Sequence, residues 1–309
     1  RDGEEEEEEE DVSPLLSYRA HQGWISQVQF LSTHASLSST LPLITAANDY
    51  WVKVWDVSKA KKRKGVVGEA NEISSSRDLH TNGIFSLEEI DHRLVSGSKD
   101  GTACVSRVLD TGDIHRLMVY DTNHGVVKCV RWRGLEEAFA SSGNDGDICL
   151  FDTRRDGTDP VLRITAAHSA AVNALTWHPM DHHIIMSNSF SPDILLHDIR
   201  KPDQVLQTLS GHSHVVRAKG IHHPIFLDGG KSVLCSGDGA KHLSLYDTDT
   251  GDVISRGWVG YEASRLHALA QSRSITRLVA AAHGRSIALF TPVDNSTSDE
   301  QPICHSVQQ

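Results

Sequence analysis

Cysteine is scarce in this 309-residue chain, and the five present are far apart. Cys104, Cys129, Cys149, Cys235 and Cys304 are odd in number and include no C-x-x-C pair. That pattern excludes a disulfide framework and a thiolate zinc site, and it points to reduced thiols in an intracellular compartment, nuclear or cytoplasmic. Long apolar runs are missing too: none approaches the roughly 18–20 residues that span a bilayer. The N-terminus has no signal-peptide pattern. It does not begin with Met, so the expectation is of a chain trimmed upstream. No G-x-x-x-x-G-K-[ST], H-E-x-x-H or G-x-S-x-G occurs, which argues against an enzyme and against a metal or cofactor.

What is present starts with a core: apolar residues make up 39% of the chain, ordinary for a globular protein and too many for a disordered one. The net charge of −11 is unevenly placed. Residues 1–11 hold nine acids and one base, leaving 29 basic and 32 acidic residues, a balance of −3. Residues 1–14 read as a solvated acidic leader built on Glu4–Glu10. The opposite block, Lys61, Lys62, Arg63 and Lys64, is a candidate nuclear-localisation signal inside a basic loop insertion at 57–79. A near-neutral body does not favour a whole-protein grip on nucleic acid.

Periodicity is the dominant signal. Histidines open similar phrases at His21, His80, His124, His168 and His212, at intervals of 59, 44, 44 and 44 residues. Each phrase leads to a short strand, a small-residue turn and an alternating strand, as in LITAANDYWVKVWD (43–56) and FASSGNDGDICLFD (139–152). A degenerate sixth copy, LVAAAHGRSIALF, covers 278–290. Strand runs bounded by Gly, Asn, Asp and Ser, with no long helical stretch, make an all-β chain. Gly97, Gly143 and Gly237 read as turn residues at positive φ.

Over about residues 15–290 the chain resembles the WD40 repeat family, whose period is about 40–45 residues with Trp-Asp at the repeat end. The resemblance implies an all-β WD40 β-propeller of four-stranded blades. Six blades are recognisable, and a seven-bladed parent is expected because most family members have seven. Residues 15–20 could close the ring against 286–290, and 291–309 read as a C-terminal tail. In each repeat a His, a strand Ser or Thr, a turn Asp and a strand Trp can form one hydrogen-bonded chain. Unit one has the full set at His21, Thr45, Asp49 and Trp55. Unit two has His80, Ser96 and Asp100 with Ser106, and unit three has His124, Ser141 and Asp145 with Phe151. Units four, five and six carry Ser191, Ala240 and Gly284 in the Asp place and are expected to lean more on apolar packing than on polar pinning. The adjacent pairs His182-His183 and His222-His223 point opposite ways on extended chain and so rarely share a metal.

Two units end Phe151-Asp152-Thr153-Arg154 and His197-Asp198-Ile199-Arg200. This is similar to the W-D-x-R box of WD40 proteins that dock on the damage-specific DNA-binding adaptor of cullin-4 RING ubiquitin ligases. The resemblance implies adaptor binding through Asp152, Arg154, Asp198 and Arg200, since a guanidinium fork suits a docking contact. The alternative is that each Arg caps its own turn. The opposite, His-side face is then free for a protein or chromatin ligand. Its candidates are Trp24, Ser26, Asn48, Phe85, Lys99, Lys128, Asn144, Asn173, Phe190 and Arg217. The expected function is a substrate receptor; the alternative is a general WD40 scaffold or a histone, peptide or damaged-DNA reader.

Overall fold

The computed structural model describes residues 19–31, 41–58, 71–122, 124–191, 193–211, 223–236, 242–258, 266–271, 279–283, 286–290 and 305–307. Among these, the strands form six four-stranded antiparallel sheets, each a meander of consecutive strands. The first holds β1 (Ile25–Phe30), β2 (Pro42–Ala47), β3 (Val52–Asp56) and β4 (Asn71–Ser76). The second holds β5 (Ile84–Ile90), β6 (Arg93–Ser98), β7 (Thr102–Val108) and β8 (Ile114–Asp121). The third holds β9 (Val127–Trp132), β10 (Ala138–Gly143), β11 (Ile148–Asp152) and β12 (Leu162–Ile164). The fourth holds β13 (Val172–Trp177), β14 (Ile184–Ser189), β15 (Ile194–Asp198) and β16 (Val205–Leu209). The fifth holds β17 (Ile225–Leu227), β18 (Ser232–Ser236), β19 (His242–Asp247) and β20 (Val253–Trp258). The sixth holds β21 (Leu266–Gln271), β22 (Val279–His283), β23 (Ser286–Phe290) and β24 (His305–Val307).

Neighbouring sheets meet through their first strands: β1 against β5, β5 against β9, β9 against β13, and β17 against β21. Apolar side chains fill the space between. Ile44, Val54, Ile84 and Leu94 join the first and second sheets, and Val95, Val130, Phe139 and Phe151 the second and third. Ile148, Leu175 and Ile185 join the third and fourth, and Leu196, Phe226 and Tyr246 the fourth and fifth. Each such side chain contributes about 1.5–3 kcal/mol when fully buried. Because both faces of a sheet are covered, middle strands such as β2 and β10 are buried almost throughout and lack polar alternation.

The innermost strands share an irregularity. In β1, β5, β9, β13 and β21 one residue near the start has no partner opposite it: Ser26, Phe85, Lys128, Asn173 and His267. A bulge of this kind re-aims the side chain it carries.

Three features depart from the sequence reading. The insertion at 57–79 is not all loop, because its last part is β4, paired with β3. Its sequence NEISSS has one apolar residue, so an outer strand there carries no hydrophobic pattern. Residues 286–290 pair with β24, from the stretch read as a tail; Arg19 and Ala20 are not strand, and 15–18 lie outside the described residues. Gly97 and Gly143 lie inside β6 and β10 without positive φ. Close approach explains them: a Cβ on Gly97 would sit 2.6 Å from Val127 Cγ1, and one on Gly143 2.1 Å from the Val126 carbonyl oxygen.

Candidate functional site

The turn between the second and third strands of each unit is tied to the histidine that opens the unit. In unit one Trp55 Nε1 donates to Thr45 Oγ1 at 2.9 Å, Thr45 Oγ1 lies 2.8 Å from His21 Nε2, and His21 Nδ1 lies 3.0 Å from Asp49 Oδ1. With Nδ1–H donating to the carboxylate, Nε2 accepts the Thr45 hydroxyl, so the chain runs in one direction with a neutral imidazole. Burial lowers the His21 pKa against the raising effect of Asp49. Burial also acts to raise Asp49, but hydrogen bonds from the Gln22 N–H, His21 and the Trp51 N–H outweigh it and leave the carboxyl below its usual range. Unit two keeps His80 Nε2 2.8 Å from Ser96 Oγ, while Asp100 accepts from the Thr81 N–H and Thr102 Oγ1 as well as facing His80 at 3.3 Å. In unit three His124 lies 2.9 Å from Ser141 Oγ and 2.8 Å from Asp145. Phe151, in the Trp place, stacks on Phe139 at 4.9 Å.

Unit four, expected to lean more on packing than on polar pinning, carries a polar chain of its own. His197 Nε2 lies 3.0 Å from Ser187 Oγ, Ser187 Oγ lies 2.8 Å from His168 Nε2, and His168 Nδ1 lies 2.9 Å from Ser191 Oγ. Ser191 Oγ continues to Ser189 Oγ at 2.6 Å. A ring N–H from histidine replaces the tryptophan N–H, and a serine hydroxyl replaces the carboxylate. Burial pushes both imidazoles down to about 4, with His168 adding to the effect at His197. His197 Nδ1 is buried without a partner among the described residues. His212, Ala240 and Gly284 lie outside the described residues.

On the His-side face, three candidates from successive sheets touch. Trp24, just before β1, stands 5.4 Å from Phe85, the bulged residue of β5. Lys128, the bulged residue of β9, sits with Nζ 4.3 Å from the Phe85 ring centre. Trp24 is 52% exposed, and its carbonyl accepts the Asn48 N–H, which ties it to the unit-one turn. Burial first, and then neighbouring Lys99, lowers the Lys128 ammonium. Lys99, Asn144 and Phe190 are exposed, and Asn48 is partly so. Ser26 turns its hydroxyl to the Ala46 carbonyl, and Asn173 is buried with Nδ2 on the Ala171 carbonyl. Arg217 and the run Lys61, Lys62, Arg63 and Lys64 lie outside the described residues, as do residues 1–14.

The opposite ends of β11 and β15 carry the Asp-x-Arg turns, in one geometry. Arg154 donates through its backbone N–H and Nε to Asp152 Oδ1 at 3.0 and 2.9 Å, and through Nη2 to Oδ2 at 2.6 Å. Arg200 repeats this on Asp198 at 2.9, 2.9 and 2.8 Å. The arginine hydrogen bonds hold both carboxyls at about 2. Both arginine side chains stay largely in solvent, 72% and 56% exposed.

Among the described residues, no group of three His, Cys, Asp or Glu could hold a metal ion. Burial raises Cys104 to about 11 and Cys149 and Cys235 to about 12, which leaves these thiols protonated and unreactive. The perturbed histidines are lowered by burial, and each is a member of a hydrogen-bonded chain that pins its turn. His197 stands in the Trp place of its unit; its part in the hydrogen-bonded chain is what sequence reasoning did not assign.

Six consecutive four-stranded meanders, packed through their first strands, are the blades of a β-propeller. Residues 12–56 match the family model "WD domain, G-beta repeat". A chain in a crystal structure of a mitotic checkpoint complex superposes with a TM-score of 0.67 at 17% identity, over 88% of this chain and 74% of its own. The chain is 24% identical over 209 residues to the ribosome biogenesis protein WDR12 homolog of Trichoplax adhaerens, covering 62% of this chain and 48% of that protein. It is 27% identical over 164 residues to histone acetyltransferase type B subunit 2 of Debaryomyces hansenii, covering 50% of this chain and 38% of that protein. Those alignments span about half the length of these relatives, or less. The fold is a β-propeller, and residues 12–56 carry a match to the WD repeat.

Proposed function

We propose that this propeller is a non-enzymatic interaction protein linking the adaptor of a cullin-4 RING ubiquitin ligase to a nuclear or chromatin target. The observation that carries this reading is the matched pair of Asp-x-Arg turns. In two successive blades the carboxylate pre-sets one arginine conformation and leaves the guanidinium in solvent, so little side-chain freedom is lost on docking. Arg154, Arg200 and their partners Asp152 and Asp198 form the adaptor contact. The His-side face, at the other end of the same strands, receives the target. The run Lys61 to Lys64 directs the chain to the nucleus, and the histone acetyltransferase subunit among its relatives supports a chromatin setting.

One observation favours a second reading, a general scaffold or histone, peptide or damaged-DNA reader without a ligase link. Each guanidinium already binds its own carboxylate twice, as a turn cap would. Co-precipitation of the adaptor from nuclear extract decides between them. Recovery with the wild-type chain and loss with Arg154→Ala/Arg200→Ala, at unchanged melting temperature, supports the ligase reading. Undiminished recovery overturns it.

A further inference from the structure

We infer that the His-side mouth of the propeller binds an acidic polypeptide segment, a short run of carboxylates carrying one aromatic or aliphatic anchor. The inference rests on the reading that this face is the one left free for a target, and it names that target's chemistry.

The first support is the inter-blade stack of Trp24, Phe85 and Lys128. Its members come from three successive sheets, and two of them sit on bulges. The Trp24 ring is half in solvent while its backbone is held to the unit-one turn, so it presents a fixed apolar surface. Rigid tryptophans of this kind dominate interface energies.

The second support is charge. Lys99 and Lys128 form no ion pair among the described residues, although carboxylates stand at the neighbouring turns. Those carboxylates are committed elsewhere. Asp49 faces His21 and the Gln22 N–H, Asp100 faces His80, Thr81 and Thr102, and Asp145 faces His124 and Arg163. What acts on Lys128 is burial and the like charge of Lys99, both of which disfavour its charged form. A carboxylate arriving over the Phe85 stack relieves that cost. A basic segment, such as a histone tail, adds to it.

The test uses the full chain and fluorescence anisotropy of a labelled twelve-residue peptide, six glutamates around one phenylalanine. The comparison peptide has lysine at every glutamate position. Binding of the acidic peptide alone is expected, weakened roughly tenfold by Trp24→Ala, as for an interface anchor. The charge reversal Lys99→Glu/Lys128→Glu is expected to abolish acidic binding and gain the basic peptide, a result that a misfolded variant cannot give. Equal binding of both peptides, or acidic binding untouched by the reversal, overturns the inference. So does acidic binding that appears only after Glu4–Glu10 are all changed to glutamine, which would make the chain's own acidic run the occupant. Adaptor recovery through Arg154 and Arg200 reads the other face, so failure of one proposal is told apart from failure of the other.

Discussion

His168 and His197 face each other across one hydroxyl: Ser187 Oγ lies 2.8 Å from the first and 3.0 Å from the second, with the two rings 6.5 Å apart. Both imidazoles are buried, and among the described residues no carboxylate hydrogen-bonds to either ring. Where units one and three set a carboxylate against their histidine, unit four sets a serine. Its polar chain is therefore neutral from end to end.

Acid should unfasten this blade first. Each imidazole titrates near 6.5 in the unfolded chain and at about 4 in the fold. Between those values the unfolded chain holds more protons, so stability is full above pH 6.5 and falls as the pH drops toward 4. The loss is on the order of 3 kcal/mol for one histidine. Urea midpoints at pH 7.5 and 5.0 should read about 2 kcal/mol of it, the remainder being lost only as the pH falls to 4. His197→Phe, which copies Phe151 of unit three and removes the unpartnered Nδ1, should lose less stability between the two pH values than the wild type. An unchanged difference between the midpoints would show that His197 titrates normally.

Giving unit four the carboxylate it lacks should reverse the sign of the local field. Ser191 Oγ is 2.9 Å from His168 Nδ1, so Ser191→Asp sets an anion where Asp145 stands against His124. An opposite charge at that range raises a histidine pKa by about one to three units. NMR titration of the His168 ring reads the shift, and a pKa that stays near 4 would place the new carboxylate away from the ring.

The repeat, the strand order and unit one's four pinned side chains were legible because each depends on residue type at a fixed spacing. Unit four was misread because His197 and Ser191 differ in type from Trp55 and Asp49 while offering a ring N–H and an acceptor at similar reach. β4 and β24 escaped because outer strands have little hydrophobic pattern and β24 is three residues long. The bulges at Phe85 and Lys128 are one-residue register events, and no composition marks them. Trp24 and Phe85 could be picked by their place in the repeat, but their contact with Lys128 spans three repeats and exists only once the blades pack.

The paired arginine turns should be neutral for folding. Arg154 and Arg200 lie on the surface, where ion pairs add little net stability. Arg154→Ala/Arg200→Ala should therefore keep the urea midpoint and melting temperature of the parent, so any lost partner is lost through contact. A marked fall in either midpoint would instead make the arginines structural caps.

The turn after the second strand takes a left-handed residue in units one to three, and these blades meet that need unequally. Gly101 and Gly146 take φ of +89° and +83° in units two and three, and Tyr50 takes +74° in the same place in unit one. A non-glycine residue there costs roughly 1–2 kcal/mol, and the Arg77 guanidinium 5.7 Å from the Tyr50 ring offsets about 0.5–1 kcal/mol of it. Tyr50→Gly should thus change stability by less than about 1 kcal/mol, because relief of strain and loss of the cation contact nearly cancel. Gly146→Ala should behave quite differently. Its Cβ would fall 2.3 Å from the His168 carbonyl oxygen, a backbone atom that cannot step aside without pulling on the unit-four chain. Gly125, at φ +69° with nothing within 4 Å of a Cβ, isolates the conformational part of the cost. Denaturation midpoints should rank Gly146→Ala well below Gly125→Ala, by more than about 2 kcal/mol, since steric strain adds to the left-handed penalty. Equal losses would mean that the blades can slide apart at this turn and that the His168 loop is not held as tightly as its hydrogen bonds imply.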